Sequence, residues 1–371
     1  YAWDFSASGS SSAKWMTQTS NSGADGASDV SQANFSSDGG GVTVSSSNSD
    51  GANSATFSYT AAWNADPGNF DESVSVSGSK KVGNWTASSS TTQHMQKDVI
   101  AGTGNTEGVS KPMTSDATAA ITLTDGSITY KLGDAAHLST AEKAVNGPMS
   151  GTVDAEARVD SFNGFSVGLG VGPGTLTVAL DHNAGAASTS LGDKGIGIAC
   201  GGQGTAFGLN FSGDVGADLS FTYGSGSSAA SESGCTGDNA SNAASASTMG
   251  LGVALPMGNM SLGFDYESTA TSNTAANTET KVANSGYELS FTMSGIADGT
   301  AGINISSHLT TTTIGTGDPA DETKSGTELW WTVPIGPVSL AVGYGMGSTT
   351  TGSTTKTTAV TTQMGAEMSM S

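Results

Sequence analysis

Residues 133–163 form the most charged stretch of a chain in which only 12% of residues are charged. It contains both acidic and basic side chains, and no nucleophile or metal-binding motif accompanies them. Carboxylates around a narrow opening attract cations and replace part of their water shell. The stretch therefore predicts an electrostatic site that selects ions. Its acidic side is Asp134, Glu142, Asp154, Glu156 and Asp160, and the basic residues that would face it are Lys143, Arg158 and Lys131, which lies just before the stretch.

Other residues with reactive or metal-binding side chains form no comparable group. The four histidines are far apart in the sequence and lack zinc spacing. Loop carboxylates are able to bind Ca²⁺, although solvated acids are the simpler interpretation. The acids concerned are Asp193, Asp214, Asp238 and the run 318–322. We therefore expect no enzyme activity and no cofactor, with loop Ca²⁺ as the alternative.

Cys200 and Cys235 are the only two cysteines of the chain. A single pair in an otherwise cysteine-free sequence indicates one disulfide formed in an oxidising compartment. Metal binding by two thiolates without a nearby histidine is the weaker alternative. We expect a disulfide between these residues.

Segments of alternating apolar and polar residues must carry these groups. Leu219, Phe221 and Tyr223 share one face of a strand, because side chains alternate with period two. In the clearest segments the charged residues all lie on the opposite, polar face. Since a charge facing lipid costs roughly 2–4 kcal/mol, this pattern indicates an apolar face toward lipid and a polar face toward a lumen. The expected lumen-facing wall includes Asp4, Asp181, Asp218, Asp265, Glu288 and Glu328, and Lys131 shares their face.

The composition fits a wide, water-filled barrel. Only 35% of the 371 residues are hydrophobic, and 53 are glycine. A disordered chain is the alternative, but the apolar residues are not scattered. No apolar run approaches the ~20 residues of a spanning helix, and open sheet edges are not tolerated in lipid. The net charge of −21 argues against nucleic acid as a partner.

Short turns rich in Gly, Pro, Asn and Asp set the strand count. We place eight of them at 49–53, 79–81, 125–126, 172–174, 213–216, 256–259, 295–299 and 334–337. Long stretches separate them at 10–38, 90–117, 133–163, 183–204, 225–247, 268–285, 308–326 and 345–358, with one short connection near 64–69. These connections predict an all-β fold: one transmembrane antiparallel β-barrel domain spanning 1–371, with 18 strands. A barrel of 16 strands results if the hairpin at Lys80 and Lys81 lies in a loop.

The chain resembles the general porins of Gram-negative outer membranes, particularly those of alphaproteobacteria. The resemblance lies in the start Tyr-Ala-Trp-Asp-Phe-Ser-Ala-Ser-Gly (1–9) and in Asp-Glu-Ser-Val-Ser-Val-Ser-Gly (71–78). It continues in Thr-Asp-Gly-Ser-Ile-Thr-Tyr-Lys-Leu-Gly-Asp (124–134) and in the last ten residues. The arginine cluster common in that family has no counterpart, because Arg158 is the only arginine.

The resemblance implies a mature outer-membrane barrel with short periplasmic turns and long extracellular loops. It implies passive diffusion of small hydrophilic solutes and ions, a homotrimer, and outer-membrane lipid and lipopolysaccharide as surroundings. One loop would fold inward and constrict the pore, and we favour 133–163 over the alternative 90–117. The acidic lumen predicts cation selectivity.

Two other functions stay open. One is a substrate-specific 18-stranded channel, although only Trp330 stands clearly on the inward parity that a sugar path would use. The other is a structural or adhesive surface β-protein without a pore, although no sequence repeat supports it.

Overall fold

The computed structural model describes residues 3–63, 70–96, 114–135, 137–138, 141–147, 162–183, 204–228, 243–275, 278–352 and 356–370. These residues form eighteen strands: β1 (Asp4–Asn21), β2 (Val30–Ser49), β3 (Asn53–Trp63), β4 (Phe70–Val82), β5 (Trp85–Gln96), β6 (Thr114–Thr124), β7 (Ile128–Ala135), β8 (Phe162–Val171), β9 (Gly174–Asn183), β10 (Gly204–Asp214), β11 (Asp218–Ser228), β12 (Ala243–Met257), β13 (Met260–Ala275), β14 (Thr278–Ile296), β15 (Gly299–Ile314), β16 (Ala320–Ile335), β17 (Val338–Thr351) and β18 (Thr357–Met370). Each strand pairs antiparallel with its chain neighbours, and β1 also pairs with β18, so that the sheet closes into a barrel. No helix among these residues is long and apolar enough to cross a membrane.

The strand count and the antiparallel barrel predicted from the sequence are confirmed. The alternative of 16 strands is wrong, because β4 and β5 form a regular hairpin of the barrel wall. The predicted turn at 79–81 is also wrong: the chain reverses at Gly83 and Asn84, and Val82 pairs with Trp85. Gly83 has a φ of 63°, which suits glycine and fits a two-residue hairpin loop. The other seven tight turns overlap their predicted positions.

In two of these turns an aspartate accepts more than one hydrogen bond. Asp50 accepts hydrogen bonds from the side-chain and backbone N–H groups of Asn53 at 2.8 and 2.6 Å. Asp125 accepts from the backbone N–H groups of Ile128 and Ser127, both at 2.9 Å. These bonds hold the pKa of each carboxyl below its ordinary value.

Replacing Asp125 with alanine should therefore lower the thermal unfolding midpoint at neutral pH. A carboxyl whose pKa falls on folding stabilises the fold above its unfolded pKa and loses this contribution as the pH falls through the folded value. The deficit of the variant should thus shrink in acid. The measurement is the midpoint in detergent at pH 7 and near pH 3, with a substitution of the exposed Asp318 by alanine as control. A deficit that does not change with pH would contradict this prediction.

Several stretches expected to be outer loops are strand instead. Residues 268–285 and 308–326 belong largely to β13–β14 and β15–β16. β14 has 19 residues, which span roughly 60 Å along the strand, whereas a tilted membrane-crossing strand needs about 9–11 residues. These extensions lack apolar alternation because water replaces lipid around them. Their backbone ladders still pair, and hydroxyl groups bond across strands, as between Thr350 and Thr358 at 2.9 Å.

Burial separates the two faces of the wall. In β14, Glu288 and Ser290 are buried, whereas Tyr287 and Leu289 on the other face are exposed. The same alternation runs through the neighbouring strands. Because the curvature of a closed barrel exposes its outer face, the apolar face points outward and the polar face inward. On the outer face, the Tyr130 ring stacks on both Trp85 and Phe165, with ring centroids 6.3 Å apart in each pair.

Candidate constriction site

The chain turns into the barrel after β7. Gly133 has a φ of 107°, and a side chain there would collide with the backbone of Ala119 in β6. Beyond it, the His137 ring is buried and bridges two groups, with Nδ1 2.9 Å from Ser166 Oγ and Nε2 2.9 Å from the Gly133 carbonyl oxygen. The described residues 137–138 and 141–147 form the inner segment. His137 therefore anchors the start of the inner segment to the wall.

Glycines of the wall make room for the inner segment. A side chain at Gly208 of β10 would collide with Leu138, and one at Gly252 of β12 would collide with Ala141. Gly263 of β13 likewise lies against the segment backbone. Leu138 and Ala141 are buried as a result. The segment therefore lies flat on the inner face, where bulkier wall residues would lift it toward the lumen.

Two buried carboxylates of the wall bind backbone N–H groups of the segment. Asp265 of β13 accepts from Lys143 and Ala144 through its two oxygens, at 2.7 and 2.6 Å. Glu328 of β16 accepts from Gly147 at 3.3 Å. Hydrogen bonds to charged acceptors are stronger than neutral ones. These two carboxylates fix the middle and the end of the segment.

A polar cluster between these two points completes the attachment. Ser290 Oγ of β14 accepts from the Val145 N–H at 2.8 Å. Asn304 of β15 donates through its amide to Asn146 Oδ1 at 2.6 Å and to the Glu288 carboxylate. Each of the four successive strands β13 to β16 thus provides at least one hydrogen-bond acceptor or donor that holds the inner segment.

The predicted wall acids fall into two groups. Asp265, Glu288 and Glu328 lie on the inward face but are at most 1% exposed, because the inner segment covers them. Asp218 at the start of β11 keeps 51% of its side chain exposed and pairs with Lys143 Nζ at 2.7 Å. Asp4 is exposed on β1. Asp134 and Asp181 lie in β7 and β9, and their side chains are outside the described part.

The structure brings together only some of the predicted site residues. Glu142 is exposed next to Lys143, and Lys131 lies on β7 in register with Ser166, on the inward face. The remaining predicted residues lie outside the described ranges, and the predictions for them stay open: Asp154, Glu156, Arg158, Asp160, Cys200 and Cys235, together with most of the alternative loop 90–117. Asp193 and Asp238 also lie outside. Within the described residues, no three His, Cys, Asp or Glu side chains converge as metal ligands.

Sequence reasoning missed the neutral residues of this site. His137 lies within the charged stretch 133–163 but was given no role of its own, and Asn304 and Ser290 were not singled out. The inward parity of Asn304 in β15 was a sequence signal that its side chain would face the lumen. A second missed feature is a buried pair between His308 Nε2 and Glu267 Oε1 at 2.9 Å, on strands β15 and β13.

Three solved structures share this architecture over nearly their whole length. OpdQ of Pseudomonas aeruginosa has a TM-score of 0.53 at 10% identity, with 99% of this chain and 98% of that chain covered. OmpT of Vibrio cholerae with loop L8 deleted, an outer membrane protein, has a TM-score of 0.51 at 9% identity, covering 98% and 99%. The outer membrane channel DcaP of Acinetobacter baumannii has a TM-score of 0.50 at 10% identity, covering 99% and 97%.

No protein-family model and no curated protein match the chain. At these identities the structural likeness concerns the fold. The fold is that of these outer-membrane proteins, a closed multi-strand antiparallel β-barrel.

Proposed function

We propose that this chain is an outer-membrane porin, a water-filled channel through which small hydrophilic solutes and ions diffuse passively. The observation that carries the proposal is the inner segment, which is folded into an 18-stranded barrel and bonded to the wall at Asp265 and Glu328. Barrels of 16–18 strands leave an aqueous channel. A segment attached along one side narrows such a channel without closing it.

Because the inner segment is attached to one side of the barrel, the wall on the opposite side lines the open part of the lumen. The strands β1 to β5 line it mainly with hydroxyl groups, such as the pair Thr43–Thr60 at 2.9 Å and the pair Ser75–Thr92 at 2.8 Å. Hydroxyl groups both donate and accept, so they replace water for passing solutes of either charge. This part of the wall therefore forms hydrogen bonds with small polar solutes whatever their charge.

We further propose that the channel prefers cations. The net charge is −21. Among the described residues near the inner segment, the exposed acid Glu142 has no basic partner, whereas Lys143 pairs with Asp218. Asp265, Glu288 and Glu328 are covered by the inner segment, so they act on passing ions through their electrostatic field and not by direct contact. The predicted acids Asp154, Glu156 and Asp160 would add to the acidic side.

The remaining parts of the proposal concern the surroundings. The tight turns would face the periplasm and the longer connections the exterior, as in bacterial barrels. Outer-membrane lipid and lipopolysaccharide would surround the apolar face, and the chain would assemble as a homotrimer. A disulfide between Cys200 and Cys235 belongs to the same proposal. A pore-free structural role finds no support in a closed barrel with a polar interior.

Liposome swelling tests passive diffusion directly. Liposomes that contain the purified protein should swell in isosmotic solutions of small uncharged sugars, at rates that fall steeply with solute size. The control is liposomes with heat-unfolded protein. Folded protein that gives no swelling with any solute would exclude a diffusion pore.

A further inference from the structure

A single tryptophan stands on the inner wall beside the inner segment. Trp330 of β16 shares the inward parity of Glu328. Its neighbours in register are Gly302 on β15 and Gly343 on β17, and Gly343 is followed by Gly365 on β18. Because glycines have no side chain, they leave a shallow groove across strands β15 to β18. The indole of Trp330 is the only side chain among these four positions.

The indole is held in place by the groups around it. A Cβ at Gly302 would collide with the ring, so the ring lies directly on the wall. A Cβ at Gly147 would collide with Cδ1 and Cγ of the ring, so the end of the inner segment holds this edge, while the half-buried side chain still lines a cavity. A ring fixed in this way is a preorganised binding surface, because the side chain loses little conformational freedom when a ligand binds.

Polar groups surround this ring in a cavity of about 730 Å³ that opens toward the tight-turn end. Asn146 of the inner segment lines it on one side, and Thr332, Ser339 and Glu367 line it along β16, β17 and β18. They offer an amide, two hydroxyls and a carboxylate. Binding cavities of a few hundred Å³ with few directed polar groups fit small ligands.

We propose that Trp330 is a binding subsite for one saccharide ring on its way through the channel. The apolar C–H face of a pyranose would lie on the indole, and its hydroxyls would bond to Asn146, Thr332 and Glu367. Amide, hydroxyl and carboxylate groups together match a ligand whose hydroxyls both donate and accept. The inference rests on the proposed channel function and adds a substrate class to it.

A neutral polyol fits the Glu367 side of this cavity better than a cation does, whereas Asp298 lines the cavity at the tight turn after β14. Glu367 lies directly opposite Lys14 in the pairing of β18 with β1, so a basic side chain starts from the neighbouring position on the same face. An organic cation would have to compete with that lysine. A saccharide instead uses the carboxylate as an acceptor and leaves the charge balance unchanged.

Block of the single-channel ion current by glucose and maltose tests the subsite. Sugar added on the tight-turn side of the wild-type channel should reduce the current reversibly, whereas glycerol at matched viscosity should not. Trp330→Ala should raise the half-blocking concentration about tenfold or more, and Trp330→Phe by less. The matched control is Trp331→Leu, on the outward face of the same strand, which should change it less than about twofold.

The outcomes separate this inference from the proposed function. Channels that conduct ions but are not blocked by either sugar at about 100 mM would overturn the subsite and leave the porin standing. If Trp330→Ala also raises the conductance, the inner segment has moved, and Glu367→Gln then decides. That variant leaves the segment contacts intact and should weaken the block severalfold; an unchanged block would overturn the subsite.

Discussion

Replacing Asp265 with alanine is expected to release the inner segment from the wall and give larger, noisier single-channel currents. The carboxylate accepts the N–H groups of Lys143 and Ala144 at 2.7 and 2.6 Å, in a site that is almost fully buried. Each hydrogen bond to a charged group contributes roughly 1.5–3 kcal/mol. Losing both should weaken the docked state by about 3 kcal/mol and raise the undocked fraction about a hundredfold.

The measurement is the distribution of current levels in a planar bilayer, compared between the wild type and Asp265→Ala. Asp218→Asn is the matched control, because among the described residues Asp218 bonds only to the side chain of Lys143 and is half exposed. Exposed ion pairs contribute about 0–1 kcal/mol, so this variant should keep the wild-type level. Equal levels in all three proteins would show that the wall carboxylate does not hold the constriction.

Reversing the two accessible acids near the segment should turn the channel toward anions. Glu142→Lys combined with Asp218→Lys changes the local charge by four units. At about 8 Å in water, one unit charge changes the energy of a passing ion by about 0.5 kcal/mol before salt screening. The ratio of K⁺ to Cl⁻ permeability should therefore fall by about tenfold or more.

The control for this prediction is Glu279→Lys. Glu279 lies near the outer end of β14, is exposed, and pairs with Lys281 at 3.0 Å. The same charge reversal there should change the permeability ratio little, because it lies away from the inner segment. If Glu279→Lys shifts the reversal potential as much as the double variant, the net charge of the protein sets selectivity. The residues at the segment would then have no special role.

The barrel was predictable because its wall repeats one physical rule. Leu289 and Tyr287 face lipid, and Glu288 between them cannot, so the alternation in β14 is visible in the sequence. The turn at Gly83 was missed because the lysines before it look like a loop, although they pair within β4. The outer ends of the strands were missed because Ser and Thr carry no alternation signal once lipid is absent.

The site was predictable only in part. Parity places Asp265 and Asp218 on the same inward face, yet one is buried under the inner segment and the other is half exposed. This difference depends on where residues 141–147 lie in space, and no local pattern in β11 or β13 records it. Gly208, Gly252 and Gly263 accommodate the segment, but in a chain with 53 glycines they do not stand out.

The most direct test of the porin proposal is the single-channel current of the purified protein in a planar bilayer with a tenfold KCl gradient. A water-filled, acidic lumen predicts large discrete steps, grouped in threes if the chain is a trimer, with a reversal potential that favours K⁺. Steps with a reversal potential that favours Cl⁻ would contradict the proposed selectivity and keep the channel. The absence of any steps, from protein that stays folded in detergent, would contradict the channel itself.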